Sequence, residues 1–156
     1  MEGRVIKEYY DFLKEELDNF EGNFDKFILY IPEFFKLLCS LLDDEIINFE
    51  DRRKINSALA YFVVPNDVIP ENIYGPMGYV DDIFACCVVL KHLKKKYGLS
   101  LLNKYWDNDE NFETVLKTCY DQSIKLLEEQ DLVEKVLKNS SLKLDVVKSK
   151  KRIEDY

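Results

Sequence analysis

The sequence predicts an all-α protein, a single compact bundle of six or seven helices around a central antiparallel helical hairpin. Three observations carry this expectation. Apolar residues recur three and four apart along almost the whole chain. Strand signals are weak, because alternation is short and no Asn-Gly or Asp-Gly hairpin turn occurs. The third is PNDVIPENIYGPMGYVDD (65–82), which holds three of the four prolines and two of the five glycines between two apolar segments. Prolines fix φ and glycines permit conformations closed to other residues, so this stretch reads as a long, stiff connection.

The elements follow in order. Ile6, Tyr9, Leu13, Leu17 and Phe20 form one face of a first helix, which Gly22 and Asn23 end. Phe24 to Tyr30 reads as a short helix, and Pro32 either kinks it or opens a new one in its first turn. Phe34, Leu37, Leu38, Leu41 and Leu42 then keep helical spacing. DDEIINFE (43–50) is a connection. A helix over about 50–63 buries Ile55, Ala58, Leu59, Phe62 and Val63, and Pro65 ends it. The next helix runs from Asp81 or Asp82 to about Tyr97. Its residues 83–90 are apolar on every side, which predicts a central, buried position. LSLLNKYW (99–106) is a short helix and DNDENF a turn. A helix over about 110–129 uses Phe112, Leu116, Tyr120, Ile124 and Leu127, and DLVEKVLKN gives a last short one. The helical domain is expected over 1–139. Residues 140–156 read as a polar, basic tail that is partly frayed.

A chain of 156 residues fits one domain with a real core, and 47% apolar residues is a globular composition. The net charge of −8 is uneven. Residues 1–50 carry 13 acids and 5 bases, 51–100 carry 5 and 7, and 101–156 carry 12 and 10. An acidic surface disfavours nucleic-acid binding by the protein as a whole. The apolar stretches 27–42 and 83–90 are too short or too charged to span a membrane. The opening residues lack the apolar run of a signal peptide, so the expectation is a soluble, cytoplasmic protein. Cys39, Cys86, Cys87 and Cys119 form no C-x-x-C pair, and His92 is the single histidine, so no zinc site is expected. Cys86 and Cys87 read as small buried hydrophobes.

The stiff connection is the candidate site. Its structural residues are Pro65, Pro70, Gly75, Pro76 and Gly78, and it carries Asp67, Glu71, Asp81 and Asp82. Two readings stand. Asp67 suits a turn, and Asp81 and Asp82 suit a helix start, where carboxylates accept N–H bonds. Alternatively, the four carboxylates hold Mg²⁺, Mn²⁺ or Ca²⁺, although the spacing is not that of an EF-hand. Arg52, Arg53 or Lys54 could neutralise one of these acids if the loop approached them. His92 lies eleven residues after Asp81, roughly 16 Å along a helix, so the two cannot share one metal or act as direct acid–base partners unless another segment intervenes, and His92 reads as a surface or half-buried histidine. Lys94, Lys95 and Lys96 either close a helix end, with Gly98 after them, or form an anion-binding patch. Lys150, Lys151 and Arg152 offer a second electrostatic contact, including to nucleic acid. No nucleophile elbow, phosphate-binding glycine loop or H-E-x-x-H motif is present.

ALAYFVVPNDVIPENIYGPMGYVDDI (58–83) resembles the YkvA-like family of bacterial and archaeal helical domains of unknown function. The matching positions are Ala58 and Tyr61, then Pro65, Asp67, Ile69, Pro70 and Glu71, then Gly78, Val80, Asp81 and Asp82. The basic residues 52–54 fit as well, and the core of the resemblance spans about 50–95. Glu71 stands where the family commonly has Asp, and the link NIYGPM is richer in glycine and proline than its common form. The resemblance implies an all-helical hairpin and no particular enzymatic activity. The expected function is therefore a non-enzymatic interaction module, an accessory or regulatory subunit with a protein partner or self-association. The alternative is a divalent-metal-dependent, hydrolase-like enzyme using the loop carboxylates.

Overall fold

The computed structural model describes residues 8, 10–15, 26–63, 79–129 and 131–139. Among these the fold is all-α, with no strand. A 3-10 helix, Lys26–Tyr30, leads directly into α1, Ile31–Leu42. Pro32 sits in the first turn of α1, where its missing N–H is not required, so it starts this helix rather than kinking an earlier one. Next come α2 (Phe49–Val63), α3 (Val80–Tyr97) and α4 (Leu99–Tyr105). The chain continues through α5 (Phe112–Glu129) and α6 (Val133–Asn139).

The position of α3 follows from its sequence. Ile83 to Leu90 present apolar groups all round the helix, and every one of them is buried. A helix of this kind needs neighbours on all sides. It has them: α3 packs on α1, α2, α4, α5 and α6, most extensively on α5. From α5, Phe112, Leu116, Tyr120, Ile124 and Leu127 enter the core at the spacing expected. The Phe84 and Tyr120 rings meet with centroids 5.8 Å apart. At one end of the core Trp106 lies between Phe34 (5.8 Å) and Phe112 (5.2 Å), and its indole N–H donates to the Glu110 carbonyl.

The four cysteines are free, buried thiols, as expected for Cys86 and Cys87. Burial pushes Cys39 and Cys119 up to about 12, and holds Cys86 and Cys87 well above the ordinary thiol range. They act as small hydrophobes and not as nucleophiles.

Gly98 closes α3, its N–H donating to the Lys94 carbonyl, and it is also the residue from which α4 starts. Its φ of +97° is open to glycine and strained for other residues, while the space around an added Cβ is empty. Gly98→Ala is therefore expected to cost about 1 kcal/mol or slightly more through backbone strain alone. Urea denaturation of the purified variant measures it, and an unchanged midpoint would contradict the strain argument.

Candidate functional site

The densest polar cluster lies where the start of α2 meets the end of α3. Asn48 precedes α2 and accepts the Asp51 N–H on its side-chain oxygen at 2.8 Å, an ordinary helix cap. Asp51 itself turns inward and is 1% exposed. A buried carboxylate needs donors, and α3 supplies them. His92 Nε2 lies 2.8 Å from Oδ1, the Tyr97 hydroxyl donates to Oδ2 at 2.6 Å, and Lys96 Nζ lies 2.7 Å from Oδ2. Lys54 Nζ approaches Oδ1 at 3.9 Å from within α2. The Nε2 of His92 faces a carboxylate, so it carries the proton in the neutral ring. The 3.4 Å approach of Lys54 Nζ to that nitrogen thus brings two donors towards one oxygen. Because Asp51 stands in the first turn of α2 and its donors in the last turns of α3, the two helices run in opposite directions.

Burial alone would raise the Asp51 carboxyl. The hydrogen bonds from Lys96, Tyr97 and His92 outweigh it and hold Asp51 down at about 2. The protonated carboxyl is thus disfavoured in the folded protein relative to the unfolded chain. The resulting stabilisation is present above about pH 4 and is lost as the pH falls through about 2.

Next to this cluster, residues 43–48 form a turn that runs into Phe49, the first residue of α2, and this 43–49 segment is held from several sides. Arg52 donates three bonds to carbonyl oxygens, those of Leu42 (2.6 Å), Asp44 (2.8 Å) and Ile47 (2.9 Å). It thereby satisfies an otherwise open C-terminal carbonyl of α1 from the first turns of α2. Asp44 accepts the Ile46 N–H at 2.9 Å and the Tyr105 hydroxyl at 2.6 Å, and these bonds lower its pKa. The Tyr97 hydroxyl also accepts the Asn48 N–H at 3.0 Å. Ile47 is buried as an anchor, whereas Ile46 (59% exposed) and Phe49 (73%) face outward.

The residues singled out from the sequence fall into three groups. Asp81 and Asp82 are in the first turn of α3 and fully buried, at 0% and 1% exposed. The residue preceding the helix is Tyr79, which makes no side-chain cap, so neither aspartate occupies the N-cap position. Asp81 Oδ1 does accept the Asp82 N–H at 3.0 Å. The lysine run divides: Lys94 pairs with Glu113 of α5 at 2.7 Å, Lys96 goes to Asp51, and Lys95 remains exposed between them. Asp67, Glu71, Pro65, Pro70, Gly75, Pro76 and Gly78 lie outside the described residues, as do Lys150, Lys151 and Arg152. Among the described residues no group of three His, Cys, Asp or Glu side chains is placed to hold a metal ion.

His92 is half-buried, as expected, and the segment it meets is α2. Arg52 donates to carbonyls near the start of its own helix, and the loop acids Asp67 and Glu71 lie outside the described residues. Asp51 was not marked by sequence reasoning. Its one signal is position, three residues after Asn48 and on the same side of α2 as Ile55 and Ala58.

A family model described as "Protein of unknown function (DUF1232)" matches residues 54–87, the second half of α2, the connection and the start of α3. A protein of Methanothermobacter thermautotrophicus named "Uncharacterized protein ORF9" is 33% identical over 114 residues. The alignment covers 73% of this chain and 78% of that protein. The chain belongs to the family of that archaeal protein. No solved structure matches it. For this family member the matched region starts at Lys54, so Asp51 and three of its donors, His92, Lys96 and Tyr97, flank the matched region on either side.

Two outcomes test this site. Asp51→Asn is expected to lower stability at pH 7 by about 1–2 kcal/mol, allowing for screening beside the exposed Lys96. The gap to wild type should narrow as the pH drops below about 4, because the unfolded wild-type chain then takes up a proton at this carboxyl that the folded protein resists until about pH 2. Urea titrations across that range measure it, and a pH-independent gap would contradict the assignment. Arg52→Met should speed amide exchange of residues 43–48 by at least about tenfold over that of α5, since the carbonyl bonds no longer hold the turn.

Proposed function

We propose that the protein is a non-enzymatic helical interaction module, an accessory or regulatory subunit of a larger bacterial or archaeal assembly. The observation that carries this reading is the 43–49 turn. Ile46 and Phe49 project from a backbone that Arg52, Tyr97 and Tyr105 hold in one conformation. Large apolar side chains on a pre-ordered backbone bind at low entropic cost, which is how interface anchors work. The exposed acids Asp43, Glu45 and Glu50 surround them. This favours a partner surface with an apolar pocket and a basic rim. In this reading the subunit acts in the cytoplasm, and the 58–83 stretch is a YkvA-like motif; the family match over 54–87 overlaps it. Among the described residues no helix is long and apolar enough to cross a membrane.

The test is affinity capture with wild type and with Ile46→Ser/Phe49→Ser. Both side chains are exposed, so the double variant should keep its thermal midpoint within a few degrees. It should lose a partner, or self-association, by at least about tenfold. Retention of the same partners at the same strength would remove the turn from the reading.

The second reading is a divalent-metal-dependent, hydrolase-like enzyme with Asp67, Glu71, Asp81 and Asp82 around Mg²⁺, Mn²⁺ or Ca²⁺. The complete burial of Asp81 and Asp82, where the connection enters α3, favours it. Adjacent buried carboxylates call for compensating positive charge or donors. Thermal unfolding after EDTA and with each metal distinguishes the cases. A metal at about 100 times its Kd adds about 2.7 kcal/mol, a shift of several degrees. In the enzyme reading that shift is present in wild type and absent in Asp67→Asn/Asp81→Asn.

A further inference from the structure

A cleft of about 770 Å³ opens between the C-terminal half of α3 and the first half of α5. Lys91, Lys94 and Lys95 form one wall, Thr114 and Lys117 the other, and Leu116 contributes an apolar surface. Two carboxylates, Glu113 and Asp121, also line it. Four ammonium groups against two carboxylates leave two positive charges in excess, on a chain whose net charge is −8.

The charges are arranged unevenly. Lys94 pairs across the cleft with Glu113 at 2.7 Å, and Lys117 pairs along α5 with Asp121 at 3.0 Å. Lys95 is exposed and makes no ion pair among the described residues. Lys91 places its ammonium 3.9 Å over the Tyr120 ring. Desolvation there lowers its pKa; Asp121 pulls it back up, while Lys94 and Lys117 add repulsion. An anion in the cleft would offset the repulsion that Lys94 and Lys117 exert on the Lys91 cation. The first turn of α5 also brings the positive end of its dipole to this place.

We propose that the α3–α5 cleft binds a small phosphate-bearing anion with two or more negative charges. The volume falls within the range of about 300–1,000 Å³ common to small-molecule sites. Lysines recognise phosphate as point charges without the fixed fork of arginine, so the site selects charge and size more than shape. Glu113 competes for Lys94, and an entering phosphate takes its place. This site is independent of the 43–49 turn.

The experiment is calorimetric titration of the full chain with pyrophosphate at low salt. Wild type should bind at a single site. Lys91→Met/Lys95→Met should bind at least about tenfold more weakly. Glu113→Gln, which releases Lys94 and adds one unit of net positive charge, should bind several-fold more tightly. Lys104→Met, an exposed lysine outside the cleft, should match wild type, which separates a local site from general charge. Circular dichroism of each variant should show an unchanged helical fold. No binding by wild type overturns the proposal, and so does equal weakening by Lys104→Met. Binding of a short single-stranded oligonucleotide in preference to pyrophosphate would overturn the small-ligand assignment in favour of a nucleic-acid surface.

Discussion

A helix with apolar residues on all its faces cannot lie on a surface. Ile83 to Leu90 impose that constraint on this chain, and the arrangement of the other helices is the answer to it. α2 and α5 each turn one apolar stripe towards α3 and leave an exposed side, while α1 is buried or half-buried along its whole length. Once α3 is enclosed, the direction of α2 is set by its ends. Asp51 has to find donors inside the protein, and His92, Lys96 and Tyr97 are there only if α2 runs against α3. Hydrophobic burial thus chooses the neighbours, and one buried carboxylate helps choose their orientation.

The same polar cluster orders the surface beside it. Tyr97 bonds both Asp51 and the Asn48 N–H, and Arg52 follows Asp51 directly in sequence. The buried pairings and the exposed turn are therefore one connected unit. A turn held by this many bonds displays Ile46 and Phe49 in fixed positions, which a flexible loop of the same composition could not do.

Much of this was legible in the sequence, for identifiable reasons. Helical spacing located α1, α3 and α5 to within a residue or two, because each buries a continuous stripe of large apolar groups. The reading of α3 as central followed from its lack of a polar face. The polar site was less legible. Asp51 and His92 are 41 residues apart, and no local spacing rule connects residues brought together by tertiary packing. The bonds of Arg52 are hidden in the sequence for a related reason. Charge suggests an acid as the partner of an arginine, but its planar fork is equally suited to carbonyls left open at a helix end. Asp81 and Asp82 were placed at the right helix start, but Tyr79 precedes the helix, which puts both within its first turn.

Gly98 joins α3 to α4 with no residue to spare, since it ends one helix and begins the next. The junction therefore fixes the rotational phase of α4. One added or deleted residue would turn α4 by about 100° about its own axis. Leu102 would swing out of the core, and Tyr105 would lose its reach to Asp44. Chain length at this point is thus as much a part of the fold as side-chain identity. Relatives that keep this packing are bound to keep the spacing between the last lysines of α3 and the aromatic pair at 105–106.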